Sequence, residues 1–233
     1  MLSGRFRNLL PEGLPVLKTG TRPKPADQHI HIINYNVVMV PAIFLDRDGV
    51  IIENRPNYVR SWEDVAIFPQ VVSALSRVRL SPYKIVVVTN QSVVGRGIIS
   101  YQAAEAINCR LMAELETAGC RIDGLFMCPH APEAQCTCRK PQPGLILQAV
   151  QALSLDVSRS WMIGDAWSDL QAGHNAGIRQ NVLVRTGRGQ EQSLLPRPAG
   201  LESVVIYDTL TQVLEALVLP GISLADQFLL TAD

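Results

Sequence analysis

The stretch Phe44-Leu45-Asp46-Arg47-Asp48-Gly49-Val50 decides how this chain is read. It closes an apolar run from Val37 to Leu45, whose length and Val/Ile content suit a buried parallel strand. Residues two apart on a strand share a face, so Asp46 and Asp48 are directed to one side. The chain bends where the strand ends, and both carboxylates can then reach a single cavity. Ligands of open α/β sheets bind there, outside the carboxyl ends of the strands. Two adjacent acids repel each other unless a cation or a chemical task offsets the cost. Taken alone, the stretch is equally compatible with a solvated acidic turn, since Asp and Gly favour turns.

Three later segments change that balance. Lys84-Ile85-Val86-Val87-Val88 reads as a second buried strand and ends in Thr89-Asn90-Gln91. Cys138-Arg139-Lys140-Pro141 sets two cations beside a proline, and Trp161-Met162-Ile163 is a short apolar strand ending in Gly164-Asp165, with Asp169 four residues on. Between these segments strands alternate with helices. Val71, Val72, Leu75 and Val78 fall on one helical face. Ser100 suits the N-cap of a helix that turns Ala104, Ile107, Leu111 and Leu115 inward and closes near Gly119. Gly124 to Met127 reads as a strand, and Pro143 opens a helix through Leu153. A short helix is expected over Asp169 to Ala176, stopped by Gly177. Val182–Val184 and Val204–Ile206 read as peripheral strands, and Leu210 to Leu217 as a last helix. The expected fold is α/β: a doubly wound, mostly parallel, Rossmann-like sheet with a metal-stapled loop.

That loop is Cys128-Pro129-His130, five residues, then Cys136-Thr137-Cys138. Three thiols and an imidazole form a Cys₃His set, a common closed composition for structural zinc. All four positions are potential ligands, so no place is left for a reactive water. The spacer Ala131-Pro132-Glu133-Ala134-Gln135 has too little apolar content to fold around a core of its own, and Zn²⁺ would supply the ordering energy. Chance clustering or a redox pair is the alternative. Cys109 and Cys120 read as small packing residues. His29, His31 and His174 have no identifiable partners in the sequence.

The chain has 233 residues, enough for one sizeable core, and equal numbers of basic and acidic side chains. Zero formal charge and the lack of a basic stripe argue against an electrostatic nucleic-acid binder or a polybasic membrane anchor. No apolar run reaches the ~20 residues of a membrane span. Five cysteines, clustered and without a secretory leader, fit a reducing cytoplasm better than a disulfide scaffold. Residues 1–38 read as a loose basic extension, or as a segment ahead of a true start at Met39. Residues 39–219 form the expected domain, with the zinc loop at 128–138, and residues 220–233 a surface tail. The domain is expected to act as a monomer.

Together the Asp pair, the hydroxyl at a strand end, the Lys and the final Gly-Asp resemble the four motifs of the haloacid dehalogenase-like phosphohydrolases, over about Pro41 to Gly189. The order DRDG, TNQS, CPH…CxCRKP and GD is similar to the D-glycero-D-manno-heptose-1,7-bisphosphate 7-phosphatases and their relatives, the histidinol-phosphate phosphatases. The resemblance implies a Mg²⁺-dependent phosphomonoesterase working through an aspartyl-phosphate. Asp46 would be the nucleophile and Asp48 the acid/base. Mg²⁺ would lie on the Asp46 carboxylate, the Asp48 main-chain carbonyl and Asp165. Thr89, Asn90 and Lys140 would bind the phosphate. Asp169 would orient the loop or cap the short helix. Arg139, Asn57 and Tyr58 would meet a phosphorylated sugar.

Thr89-Asn90-Gln91-Ser92 with Arg96-Gly97, and Val184-Arg185-Thr186-Gly187, favour the heptose branch; the short spacer in the zinc loop favours histidinol phosphate. Two positions depart from the family pattern. Val93 stands where Gly is usual, and Ala166 where the heptose enzymes often carry a substrate-facing Lys. From another class, the chain could be a noncatalytic zinc-bearing binding module, which predicts loss of one of Asp46, Asp48, Lys140 or Asp165. All four are present.

Overall fold

A computed structural model describes residues 38–218. The expected extension over 1–38 lies outside the described residues except for Val38, and the tail over 220–233 lies outside them altogether. Six strands, all parallel, form one sheet in the order β3-β2-β1-β4-β5-β6. They are β1 (Ala42–Leu45), β2 (Lys84–Asn90), β3 (Gly124–Cys128), β4 (Trp161–Gly164), β5 (Gln180–Val184) and β6 (Val205–Tyr207). The helices are α1 (Pro69–Arg77), a single turn α2 (Ser92–Gly95), α3 (Tyr101–Thr117), α4 (Gly144–Leu153), α5 (Trp167–Asn175), the turn α6 (Gly189–Gln192) and α7 (Leu210–Val213). Among the described residues, no helix is long and apolar enough to cross a membrane.

Strand alternation builds two cores. Ile43 and Leu45 of β1, Ile85 and Val87 of β2 and Ile163 of β4 pack on one face with α1, α3 and α7. Ala42, Phe44, Val86, Val88 and Met162 pack on the other with α4 and Ala172 of α5. Both faces are covered, which is why β1 and β2 read as continuous apolar runs rather than alternating ones. The Ser100 hydroxyl accepts the Ala103 N–H at 3.1 Å, and Ala104, Ile107, Leu111 and Leu115 are buried, as their spacing predicts.

Several boundaries differ from expectation. β1 is shorter than its apolar run; Val40 forms only an isolated bridge to Leu155. β5 is not peripheral, because β6 covers its far edge and four of its five residues are buried. α5 begins at Trp167 rather than Asp169, since Asp169 caps from the third helical position back to Ala166. α7 gives way after Val213 to a π turn, Leu214–Val218. Strand order runs outward from β1 in one direction and from β4 in the other. The crevice at their junction is the switch point where open sheets bind ligands.

Candidate active site

The residues around that junction emerge from different strands. Asp46 follows β1, and its N–H donates to Ile163 O on β4 at 3.1 Å. Thr89 and Asn90 end β2, and Asp165 follows β4. Gly49 is the glycine that makes this approach possible. It holds φ +85°, and a Cβ there would sit 2.1 Å from Asp165 Oδ2. Thr186 ties the opposite wall to the same turn, its hydroxyl donating to Gly49 O at 2.5 Å.

Lys140 enters from the loop before α4 and is only 3% exposed. Its ammonium donates to Asp46 Oδ1 at 2.7 Å and Val88 O at 2.8 Å, and pairs with Asp169 Oδ1 at 2.8 Å. Burial alone would push its pKa down, but Asp169 and Asp46 outweigh that and hold it above the ordinary range. Asp46 is raised to about 7, first by burial and then by Asp169, Asp165 and Asp48, against the pull of Lys140. Burial and then Asp169 also raise Asp165, against Arg188.

Oxygens of Asp46, Asp165 and Asp169 lie within 4.8 Å of one another. Lys140 pairs with Asp46 and Asp169, and the half-exposed Arg188 pairs with Asp165, so three buried carboxylates face two cations and the pocket keeps negative charge for a hard cation with oxygen ligands. Asp169 is bound on both oxygens, within its own loop and by Lys140. One oxygen pairs with Lys140, and the other accepts the Ala166 N–H at 3.0 Å. Its place is therefore the loop-orienting and capping one. Asp46 and Asp165, the latter also held by Arg188, are the strand-end carboxylates that fit Mg²⁺.

The second cluster is equally compact. Cys128 Sγ lies 3.6 Å from Cys136 Sγ and 3.2 Å from Cys138 Sγ, and His130 Nδ1 lies 3.3 Å from Cys138 Sγ. A tetrahedron with ligands about 2.3 Å from zinc has edges of about 3.8 Å, so four atoms converging this closely suit one zinc ion. The three sulfurs are free thiols rather than disulfide partners. The loop also leans on the site. Cys128 O accepts from Gln91 N at 2.7 Å and Pro129 O from Gly95 N at 2.8 Å.

A cavity of about 490 Å³ opens over Asp46, Asp48 and Lys140. Arg139 and Tyr58 line it as expected, but Asn57 does not: it is exposed, and Asn54 and Arg55 take the wall instead. Tyr58 adopts φ +63°, which turns the loop so that alternation along it is lost. Of the two residues expected to bind phosphate, Asn90 lines the cavity and Thr89 lies behind it. Thr89 is fully buried, its hydroxyl 3.4 Å from Asp48 Oδ2 and accepting from Gln91 Nε2 at 2.8 Å. Asn90 spends its carboxamide on the Lys140 main chain, donating to its O and accepting from its N, both at 3.1 Å. Asn90 thus sets where Lys140 enters.

Two groups were not foreseen. Arg188 gives its main-chain N–H to Asp165 Oδ2 at 2.8 Å and its guanidinium to Oδ1 at 3.2 Å, and it lines the cavity. It stands one residue beyond the Val184–Gly187 segment that the sequence singles out. Arg47, between the two motif aspartates, is buried, with both Nε and Nη2 on Asp48 at 3.1 and 3.0 Å.

A D-glycero-beta-D-manno-heptose-1,7-bisphosphate 7-phosphatase from Photorhabdus laumondii is 40% identical to this chain over 156 residues, covering 64% of this chain and 82% of that protein. The chain belongs to this phosphatase family. The Pseudomonas aeruginosa enzyme of the same name is 34% identical over 175 residues, covering 75% of this chain and 96% of the relative. The profile of HAD-hydrolase-like proteins matches residues 137–213, from the zinc loop through Asp165 and Arg188. Among solved structures, the D,D-heptose 1,7-bisphosphate phosphatase from B. bronchiseptica, complexed with magnesium and phosphate, superposes with TM-score 0.69 at 32% identity. That match covers 75% of this chain and 96% of the other. The chain is thus a haloacid dehalogenase-like hydrolase of the heptose bisphosphate phosphatase family, and the family's DxD, Lys and Gly-Asp groups converge at its sheet junction.

Proposed function

We propose that this enzyme removes the 7-phosphate of D-glycero-D-manno-heptose 1,7-bisphosphate through an aspartyl-phosphate on Asp46. The observation that carries this reading is the buried Lys140 ammonium, held between Asp46 and Asp169 at the floor of a cavity whose wall includes Arg139 and Arg188. Lys140 fixes Asp46 through Oδ1, which leaves Oδ2 as the oxygen that attacks phosphorus. As that bond forms, the bond from phosphorus to the sugar oxygen breaks, and Asp48 gives its proton to the departing alkoxide. Asp48 then takes a proton from the water that hydrolyses the aspartyl-phosphate. Mg²⁺ on Asp46, Asp165 and the Asp48 carbonyl would supply the positive charge that lets a carboxylate approach a phosphate dianion. Zn²⁺ on Cys128, His130, Cys136 and Cys138 would hold Arg139 and Lys140 in register with the pocket.

The family's substrate-facing Lys is replaced by Ala166, and Arg188 offers a cation in the cavity. Arg139 and Arg188 have the forked geometry that suits the non-reacting phosphate. Histidinol phosphate carries an amine that these cations would repel. The test is a side-by-side measurement of kcat/KM for the heptose bisphosphate and histidinol phosphate in Mg²⁺. The bisphosphate should win by tenfold or more, about the worth of one charge-assisted contact. A preference for histidinol phosphate would overturn the substrate and leave the Asp46 chemistry standing.

A further inference from the structure

We propose that Arg47, backed by Asn108, is a positioning residue that aims the Asp48 carboxyl at the leaving-group oxygen. This rests on the reading of Asp48 as the proton donor. Arg47 is 1% exposed, and burying a guanidinium is expensive unless all its donors are used. Each of its three nitrogens has a partner, and the partners are arranged in a directed way. Nε and Nη2 grip the two oxygens of Asp48 as a fork. Nη1 donates to Asn108 Oδ1 at 2.6 Å. Asn108 is itself buried on the face of α3 that otherwise carries Ala104, Ile107, Leu111 and Leu115. A polar side chain on that face costs stability unless it is paired. Its amide faces Met127 Sδ on β3 at 3.3 Å, a weak acceptor, so its strong bond is the one to Arg47. The chain therefore keeps two costly buried groups in series, and the series ends on the acid/base.

The fork also selects which oxygen handles the proton. Asp48 Oδ2 receives Arg47 Nε, Gln91 Nε2 at 2.9 Å and the Thr89 hydroxyl at 3.4 Å. Oδ1 receives only Arg47 Nη2 among the described residues, which leaves a lone pair for a transferable proton. Asp48 Oδ1 is thus the oxygen that faces the departing group. None of the hydrogen bonds of Arg47 goes to Asp46. The positioning consequently serves leaving-group protonation rather than nucleophilic attack.

Leaving-group dependence separates this role from a structural one. The p-nitrophenolate group departs without a proton, phenolate needs help, and a sugar alkoxide needs it most. The experiment measures kcat and KM for p-nitrophenyl phosphate, phenyl phosphate and the heptose bisphosphate. In kcat/KM, which ends at phosphoryl transfer and excludes the later hydrolysis that Asp48 also serves, Asp48→Asn should lose roughly 10²–10⁴-fold on the poorest leaving group and far less on p-nitrophenyl phosphate. Arg47→Lys keeps the charge and removes the fork. It should show the same slope in weaker form, with at least about tenfold more loss on phenyl than on p-nitrophenyl phosphate and KM little changed. Combined with Asp48→Asn it should add almost nothing. If Arg47→Lys does not fold, Asn108→Ala, which leaves the fork and loosens its anchor, must show the same sign. Equal losses across the series for Arg47→Lys or Asn108→Ala, with Asp48→Asn still steep, would overturn the positioning role alone. A flat series for Asp48→Asn would remove the proton donor and the proposal with it.

Discussion

Asp46 sits against one ammonium and two further buried carboxylates, so its charge is costly in the metal-free protein, while the proposed mechanism requires it. Asp46→Asn separates the two. The amide keeps the shape and can still accept a hydrogen bond from Lys140, but it cannot form an acyl phosphate. Turnover should fall by on the order of 10³-fold or more, as when other nucleophiles are removed, and no phosphoryl-enzyme should be trapped by acid quench. Lys140 keeps its pair with Asp169, while the repulsion among three acids is relieved. In chelator, the melting temperature of Asp46→Asn should therefore equal or exceed that of the parent. Retained turnover would refute the nucleophile. A lower melting temperature would show that Asp46 is needed to hold Lys140. Neither Arg47 nor Arg188 was legible at this scale. Their meaning lies in partners 61 and 23 residues away, Asn108 and Asp165, and no spacing rule links those positions.

The elements were largely readable because periodicity survives wherever a face is buried. The strands at 84–90, 124–128 and 161–164 and the helix closed by Gly119 follow the expected pattern to within a few residues. The Cys/His loop was readable for a different reason: its four metal-ligating side chains lie within eleven consecutive residues, so chemistry replaces packing as the signal, and the structure gathers them. The loop over residues 54–58 has neither, and that is why Asn57 was expected on a wall that Asn54 and Arg55 supply. The Cys/His loop also does mechanical service. Its carbonyls bond Gln91 and Gly95, and Lys140 is only two residues beyond Cys138. Cys136→Ser exchanges a thiolate ligand for a hydroxyl and should release the metal. Elemental analysis should find about one zinc per chain in the parent and much less in the variant. Because Lys140 would lose its anchor, kcat should fall together with zinc content, while Asp46 and Asp48 remain in place. Full activity in a zinc-free Cys136→Ser protein would show that the loop is held by its hydrogen bonds alone.

At the scale of the whole molecule, β1 is the common support. It pairs with β2 on one side and β4 on the other, and it sends alternate side chains into both cores. The site inherits its position from this arrangement. Asp46 and Asp48 leave β1, Thr89 and Asn90 leave β2, and Asp165 leaves β4, so the strand order alone gathers motifs that the sequence separates by more than a hundred residues. A doubly wound, mostly parallel sheet was expected from alternation of strands and helices, whereas the strand order and the register that brings Asp165 to Gly49 required the fold itself. Phe44 tests the support without touching the chemistry. It is fully buried two residues before Asp46, in the core that contains Leu145, Ile146 and Met162. Phe44→Ala should cost about 3–5 kcal/mol, the usual range for emptying an aromatic core site. Domains of this kind hold about 5–15 kcal/mol in all, so most of the protein should remain folded in dilute buffer. The urea midpoint should drop with an unchanged slope, because the surface exposed on unfolding stays nearly the same. Backbone pairing of β1 to two neighbours should hold Asp46 in place, leaving KM close to the parent value. A midpoint near the parent's would mean that α4 closes onto the sheet and fills the cavity. A large rise in KM at an intact midpoint would mean that Phe44 positions the site directly instead of supporting it through the core.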